Sequence, residues 1–112
     1  MVSVSVPRRN PIFLQGVQIS PFLNIATMVD FEPLSNGQTA ASADFSMVSS
    51  EVQNVMRVMR QQGWEIGCLY NQEIDEQPQL YFSHQVKVGD PIQLAREIRQ
   101  GLNQTNSQGS PS

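Results

Sequence analysis

The stretch Thr39–Arg60, TAASADFSMVSSEVQNVMRVMR, decides the fold because its hydrophobic period changes once along the chain. In the first half, apolar residues alternate with polar or small ones, which predicts a strand with one buried side. In the second half, apolar residues recur at helical spacing behind Ser50, which has Gln53 at the capping-box position. Gly63 is expected to end this helix. The alternating residues are Ala41, Ala43, Phe45 and Met47; the helical ones are Val52, Val55, Met56 and Met59.

Upstream of this stretch the same alternation occurs at residues 23–32 and ends at Pro33. Because Ser35–Asn36–Gly37 is a turn signal, residues 23–32 and 39–48 are predicted to form a hairpin. Residues 1–22 contain Pro7, Pro11 and Pro21, and proline is excluded from a central strand. This segment is predicted to be an arm that packs on the body, with short edge strands.

Downstream, residues 64–72 and 79–88 are predicted to be two further strands. Asp90 and Pro91 then begin a second helix, since aspartate caps and proline fits the first helical position. Its apolar stripe is read as Ile92, Ala95, Ile98 and Leu102. The residues expected to be buried between the helices and the sheet are Val52, Val55, Met56, Met59, Ile92, Ala95 and Ile98.

The predicted order is therefore β-β-α-β-β-α, an α+β fold with an antiparallel sheet and two helices on one face. Such an arrangement is expected to be ferredoxin-like or ACT-like. The organisation predicted is a Pro-rich arm at 1–22, one α+β domain at 23–102, and a polar tail at 103–112. Because the tail has no apolar residue, we expect it to be disordered.

Composition limits the function classes. The chain has 112 residues, enough for one core, and no apolar run approaches the roughly 18 residues of a membrane span. Its net charge of −3 argues against a nucleic-acid partner. One cysteine excludes an intramolecular disulfide. The start lacks a basic segment followed by an apolar one, so we expect a cytoplasmic protein with no membrane contact.

Several ordered motifs resemble the LppY/LpqO family, a bacterial family with a domain of unknown function. They are Asp44-Phe-Ser-Met-Val, Glu51-Val-Gln-Asn-Val-Met, Asp75-Glu-Gln-Pro-Gln-Leu-Tyr-Phe, Ser83-His84 and Gly89-Asp-Pro-Ile-Gln-Leu-Ala-Arg96. The resemblance covers about half of the chain. It implies no particular activity, because the function of that family is not established.

Two departures from that family affect the site. Its members often carry two copies of this unit and an export signal, whereas this sequence shows one copy and no such signal. They also tend to have His-Asn-His where this chain has Tyr70-Asn71-Gln72, so only Asn71 and His84 persist. Three imidazoles on one face would suit a metal in such relatives, but no metal and no cofactor is predicted for this chain.

The candidate ligand or site positions are Cys68, Tyr70, Asn71, Gln72 and His84. If Tyr70 pairs with Phe82, alternation would put Cys68 opposite His84, where imidazole could take the thiol proton. The plainer interpretation is a buried thiol and a satisfied core histidine. No catalytic residue is assigned, and the sequence favours a protein that is not an enzyme.

Three functions remain open from the sequence. The first is a non-catalytic binding or assembly module that acts as a homodimer, with an unknown protein or small molecule as further partner. Its expected contact is a bare sheet face with few charges, carrying Ala26, Met28, Gly67 and Leu69, unless the Pro-rich arm covers it. The second is an enzyme, active or degenerate, with its site near His84 and Cys68. The third is a small-ligand sensor of the ACT type, with its site between two copies.

Overall fold

A computed structural model describes residues 1–71 and 73–111 and shows an α+β fold, as predicted. Two helices and eight strands make up the described part. The strands are β1 (Val2–Val6), β2 (Phe13–Leu14), β3 (Val17–Gln18), β4 (Thr27–Pro33), β5 (Thr39–Met47), β6 (Glu65–Tyr70), β7 (Glu76–Gln77) and β8 (Tyr81–Gly89); the helices are α1 (Ser49–Gln61) and α2 (Pro91–Leu102).

The main sheet has five strands in the order β1-β4-β5-β8-β6. Its described strand pairs are all antiparallel, and β4 and β5 form the predicted hairpin with Val29 opposite Ala43. Strand β8 lies between β5 and β6, so the two predicted hairpins join through their later strands. The sheet gains β1 as an edge strand. The ferredoxin-like or ACT-like description is not confirmed by this order and stays a prediction.

The helix ends follow local capping chemistry. Helix α1 begins one residue earlier than Ser50, and its N-cap is Val48, whose N–H donates to Glu51 Oε1 at 2.9 Å. Gly63 has φ +83° just beyond the end of α1, which is the left-handed conformation that glycine adopts most readily. Helix α2 begins as predicted, with Asp90 Oδ2 accepting from the Gln93 N–H at 2.9 Å.

Both helices pack on one face of the main sheet, which we call the helix side. The core there joins the alternating residues of β5 to Val55 and Met59 of α1. The predicted stripe of α2 was wrong in part, because Ile92 and Ala95 are exposed. The helix is rotated so that it buries Leu94, Glu97, Ile98, Gly101 and Leu102. Val52 and Met56 of α1, also predicted as buried, are only half-buried.

The N-terminal arm forms three short strands, and its prolines lie outside them. Strand β1 pairs with β4 at the edge of the main sheet, and the short strands β2, β3 and β7 form a second, three-stranded sheet. Ile12 and Ile25 pack there with Leu80 and Phe82 in a second apolar cluster. The arm therefore packs on the body through its own small core, while the domain boundaries predicted at residues 22 and 102 stay predictions.

The loop before β8 is less solvated than its acidic sequence suggests. Glu76 is only 1% exposed and its Oε1 accepts from the Leu80 N–H at 2.9 Å. Burial raises the pKa of this carboxyl group, against the lowering effect of the Leu80 bond. Glu76 thus secures the small sheet from a buried position within an acidic loop.

Residues 103–111 pack against the body, whereas the polar composition of the tail led us to expect disorder. Thr105, Ser107 and Ser110 are buried, and their hydroxyl groups bond to one another or to the Leu102 carbonyl. The Asn106 N–H donates to Glu51 Oε2 at 2.8 Å. Hydrogen bonds, not apolar contacts, order this segment, and hydropathy does not register them.

A buried carboxylate joins α2 to the sheet. Glu97 is 5% exposed and its Oε1 accepts from the Trp64 indole N–H at 2.9 Å and from Lys87 Nζ at 2.8 Å. Its Oε2 accepts from Gln93 Nε2 at 3.1 Å. Burial by itself raises the pKa of Glu97, but the bonds from Lys87, Gln93 and Trp64 outweigh it and hold the pKa below the ordinary 4.5.

This depressed pKa makes stability depend on acid. Because unfolded Glu97 binds a proton more readily than folded Glu97, its contribution is complete above about pH 5 and is lost as the pH falls through the folded pKa. Urea unfolding should therefore show that the free energy of unfolding decreases less between about pH 7 and pH 3 in Glu97→Gln than in the wild type. The exposed Glu32→Gln should show the same decrease as the wild type. A decrease in Glu97→Gln as large as that of the wild type would contradict this assignment.

Candidate functional site

The face of the main sheet turned away from the helices, here the open face, carries the sequence-predicted His84. Cross-strand register places Ser5, Met28, Asp44 and His84 in one row on β1, β4, β5 and β8. Directly opposed side chains on an antiparallel sheet are close enough to interact. His84 is exposed in this row, so it is neither the packed core histidine nor part of the helix-side core.

Tyr70 reaches the same row from β6. Its hydroxyl group donates to Asp44 Oδ2 at 2.5 Å, a distance typical of a charge-assisted bond. The Tyr70 ring stacks on Phe82, with ring centroids 5.8 Å apart. The structure thus brings together two predicted site residues, Tyr70 and His84, and adds Asp44, which the sequence analysis did not single out.

Cys68 does not join this group. The supposed pairing of Tyr70 with Phe82 is observed, but the register of β6 shifts between Ile66 and Leu69, so Gly67 and Cys68 together face His84 and Cys68 forms no regular pair with it. The shift is a β-bulge, which leaves residues of one strand without a partner on the other. Cys68 is exposed in the bulge, and the expectation of a buried thiol is wrong.

The remaining two candidate positions are Asn71 and Gln72. Asn71 holds the chain after β6, because its Nδ2 donates to the Leu80 carbonyl at 2.8 Å. That bond gives it a structural role beside the site. Gln72 lies outside the described residues.

A hollow of about 280 Å³ adjoins Asp44 on the open face. Phe22, Ala26, Met28 and Phe82 form its apolar wall. Asp44 Oδ1 is buried and has no hydrogen-bond partner among the described residues. A carboxylate oxygen in this position can accept a hydrogen bond from a small polar group. Within residues 1–71 and 73–111, no group of three or more His, Cys, Asp or Glu side chains is arranged to hold a metal ion.

The open face is acidic, which corrects the expectation of a face with few charges. Register puts Asp30, Glu32, Asp44 and Glu65 on it. Ala26 is buried, and the bulge turns Leu69 to the helix side with Ser83. The four residues expected to share a contact surface therefore do not share one.

Two other surface features lie at the β1 side of the molecule, and sequence reasoning missed both. Among the described residues, strand β1 pairs with β4 alone and ends the main sheet, so the other side of its backbone carries unpaired N–H and C=O groups. Beside it, on the helix side, an apolar groove runs between β1, β4 and α2. We call it the α2 groove; Val2, Phe31, Leu34, Ile92 and Ala95 line it. The exposure of Ile92 was the available signal, obscured by the misplaced stripe.

Comparison with known families gives a match. A family model described as Domain of Unknown Function (DUF1259) matches residues 1–104. The chain belongs to this family. The matched range contains the whole main sheet and both helices, so the family corresponds to the fold described above and not to a fragment of it.

This membership does not assign an activity, since the family is defined as a domain of unknown function. Comparison with curated proteins and with solved structures produced no match. In the described part of the chain, neither helix combines the length and apolar character needed to cross a membrane. Three surface features of the fold can suggest a function: the open face, the β1 edge and the α2 groove.

Proposed function

We propose that this DUF1259 domain is a non-catalytic assembly module that forms a homodimer by antiparallel pairing of two β1 strands. The observation that carries the proposal is the β1 edge, which is a row of unpaired backbone groups at the end of the sheet. Such an edge is a ready template for another strand. Pairing it with its counterpart would join two five-stranded sheets.

The sequence of β1 lacks every usual protection of a free edge. Val2–Val6 reads VSVSV, with no charge and no proline, and its Val2 and Val4 side chains are exposed. Proteins commonly protect edges with charged residues, proline or a bulge. The opposite edge strand, β6, has two of these devices, namely Glu65 and the bulge after Ile66. The contrast between the two edges favours β1 as the contact.

Symmetry and charge support the same geometry. Two identical strands that pair antiparallel are related by a twofold axis, the commonest symmetry of soluble oligomers. Contact through the open face would instead set Asp30, Glu32 and Glu65 of one copy against those of the other. Like charges opposed in this way destabilise a contact. The rest of the Pro-rich arm does not compete for the edge, because strands β2 and β3 belong to the second sheet.

The proposal predicts that Val4→Lys converts the dimer into a monomer. A lysine on a flat edge strand opposes pairing by its charge and its desolvation. Size exclusion with light scattering at micromolar concentration gives the mass, and circular dichroism checks the fold. The matched control is Leu69→Lys, which adds the same charge to the other edge strand and should leave a dimer. A wild-type monomer that persists as concentration rises, or dissociation in Leu69→Lys alone, would contradict the proposal.

An enzyme with its site at the open face is a second candidate, supported by the bond from Tyr70 to Asp44 beside His84. A carboxylate next to an imidazole can orient it for proton transfer. The thiol expected as nucleophile lies in the β-bulge and forms no regular cross-strand pair with His84, which weakens this candidate. A small-ligand sensor of the ACT type is an alternative of the same rank as the enzyme. Its site would lie between two copies, so it would need a twofold contact.

A further inference from the structure

The α2 groove exists because the two helices do not cover the whole helix side of the sheet. Helix α2 packs mainly on β5 and β8 and also buries Val29 of β4. Val2 and Val4 of β1 stay exposed beside it. Val2 is 59% exposed on the sheet, and Ile92 is 63% exposed on the facing wall of α2. Large apolar side chains this exposed on both walls of one depression mark an interaction site.

The size of the groove suits an organic molecule. Its volume is about 1020 Å³, at the upper end of the roughly 300–1,000 Å³ of ligand sites. A smaller hollow of about 140 Å³ continues it towards Leu102 and shares Phe31, Ala95 and Arg99 with it. The two together follow β1 from Val2 to Val6, four residue steps or about 13 Å. An extended, unbranched apolar chain fits that shape.

Two arginines give the groove a chemical preference. Arg96 and Arg99 are one helical turn apart on α2 and both line the groove. The ion pairs within the described residues are Arg8–Glu51 and Lys87–Glu97, so neither groove arginine is neutralised by one of them. Guanidinium groups form planar forks that match a carboxylate. An apolar channel with two such groups on one wall is complementary to a molecule with an alkyl chain and a carboxylate.

We propose that the α2 groove binds a medium-chain fatty acid, with the alkyl chain along β1 and the carboxylate on Arg96 and Arg99. A second copy of the chain is a poorer occupant, because its own α2 would bring the same two arginines to the contact. The β1 dimer proposed above uses the backbone edge of that strand, whereas the fatty acid uses side chains on its helix side. Either proposal can therefore fail while the other stands.

Titration calorimetry with octanoate and decanoate, below their micelle concentrations, tests the alkyl-chain part. Each buried methylene group should tighten binding about fourfold, so decanoate should bind about fifteenfold more tightly than octanoate. Octanol has the same eight-carbon chain as octanoate but no charge, and it should bind at least about tenfold more weakly than octanoate. Absence of binding, or equal affinities for octanoate and decanoate, would overturn the proposal.

Substitutions test the location. Arg96→Gln with Arg99→Gln should lower the affinity for octanoate to that for octanol and leave octanol binding unchanged. The matched control is Arg57→Gln with Arg60→Gln, an exposed pair at the same spacing on α1, which should not change either affinity. Ala95→Trp should abolish binding of both compounds by filling the groove, with the fold checked by circular dichroism. Equal losses of affinity in the two double variants would refute fatty-acid binding in the groove. So would a wild type that binds no octanoate together with an Ala95→Trp variant that is a monomer.

Discussion

Replacing Arg8 by alanine is expected to lower the free energy of unfolding by about 3–5 kcal/mol, the usual cost of removing one partner of a buried ion pair. The Arg8 side chain is 1% exposed, and its Nη1 donates to Glu51 Oε1 and to the Ser46 carbonyl, both at 2.8 Å. Alanine would leave the Glu51 carboxylate without its cation and the Ser46 carbonyl without this donor. Urea unfolding followed by Trp64 fluorescence measures the loss.

Arg9→Ala is the matched control, because Arg9 is the next residue and is exposed. It donates to the Ser110 carbonyl, so its removal should cost about 1 kcal/mol or less. Arg8→Lys should fall between the two, since lysine keeps the charge but cannot make the forked contact. If Arg8→Ala is no more destabilising than Arg9→Ala, the ion pair does not stabilise the fold as described.

The second large effect is expected from Met59→Ala, at about 2–5 kcal/mol. Met59 is 0% exposed and packs in the main core between α1, α2 and β5. Gly101 allows this close packing, because a Cβ atom there would be 2.7 Å from Met59 Sδ. Truncation to alanine therefore leaves a cavity where two helices meet, and chemical denaturation at neutral pH gives its cost.

Met56→Ala is the control for that measurement. Met56 is one turn earlier on the same helix and only half-buried, so less apolar surface is lost and the surroundings can relax. We expect a loss well below that of Met59→Ala. Equal losses for the two methionines would show that the buried stripe of α1 is rotated from the one described.

The part of the fold that the sequence predicts best is the part with strong periodicity and local caps. The alternation in β5 and the Asp90–Pro91 start of α2 were both confirmed, because short-range sterics and capping bonds determine them. The hairpin of β4 and β5 was confirmed for the same reason, since the Ser35–Asn36–Gly37 turn joins two alternating segments.

Features decided by tertiary contacts were not predictable in the same way. Helical spacing permits α2 to bury either Ile92 with Ala95 or Leu94 with Ile98, and the close approach at Gly101 selects the second. The bulge in β6 was also not predicted, because a prediction from alternation assumes an unbroken register. Both errors moved candidate residues, namely Ile92 into the α2 groove and Cys68 into the bulge.

The candidate site was predicted in part. Tyr70 and His84 do lie together on the open face, but Asp44 was identified only by its bond to Tyr70. The β1 edge and the α2 groove depend on what the helices leave uncovered, and no pattern within one segment encodes that. Likewise, the sequence shows only that Arg8 and Arg9 are adjacent, whereas the fold shows that the Arg8 side chain bonds to Glu51 and Ser46.

The proposed β1 dimer is tested most directly by NMR on a sample that mixes equal amounts of isotope-labelled and unlabelled chain. Isotope-filtered spectra detect only contacts between different molecules. In an antiparallel pair the Cα protons of opposed residues come close only at alternate positions. The β1 dimer therefore predicts intermolecular Cα-proton contacts at alternate residues of β1 in two copies, with none from β6. A spectrum without intermolecular contacts at concentrations where light scattering gives a dimer mass, or with contacts confined to another surface, would contradict the account.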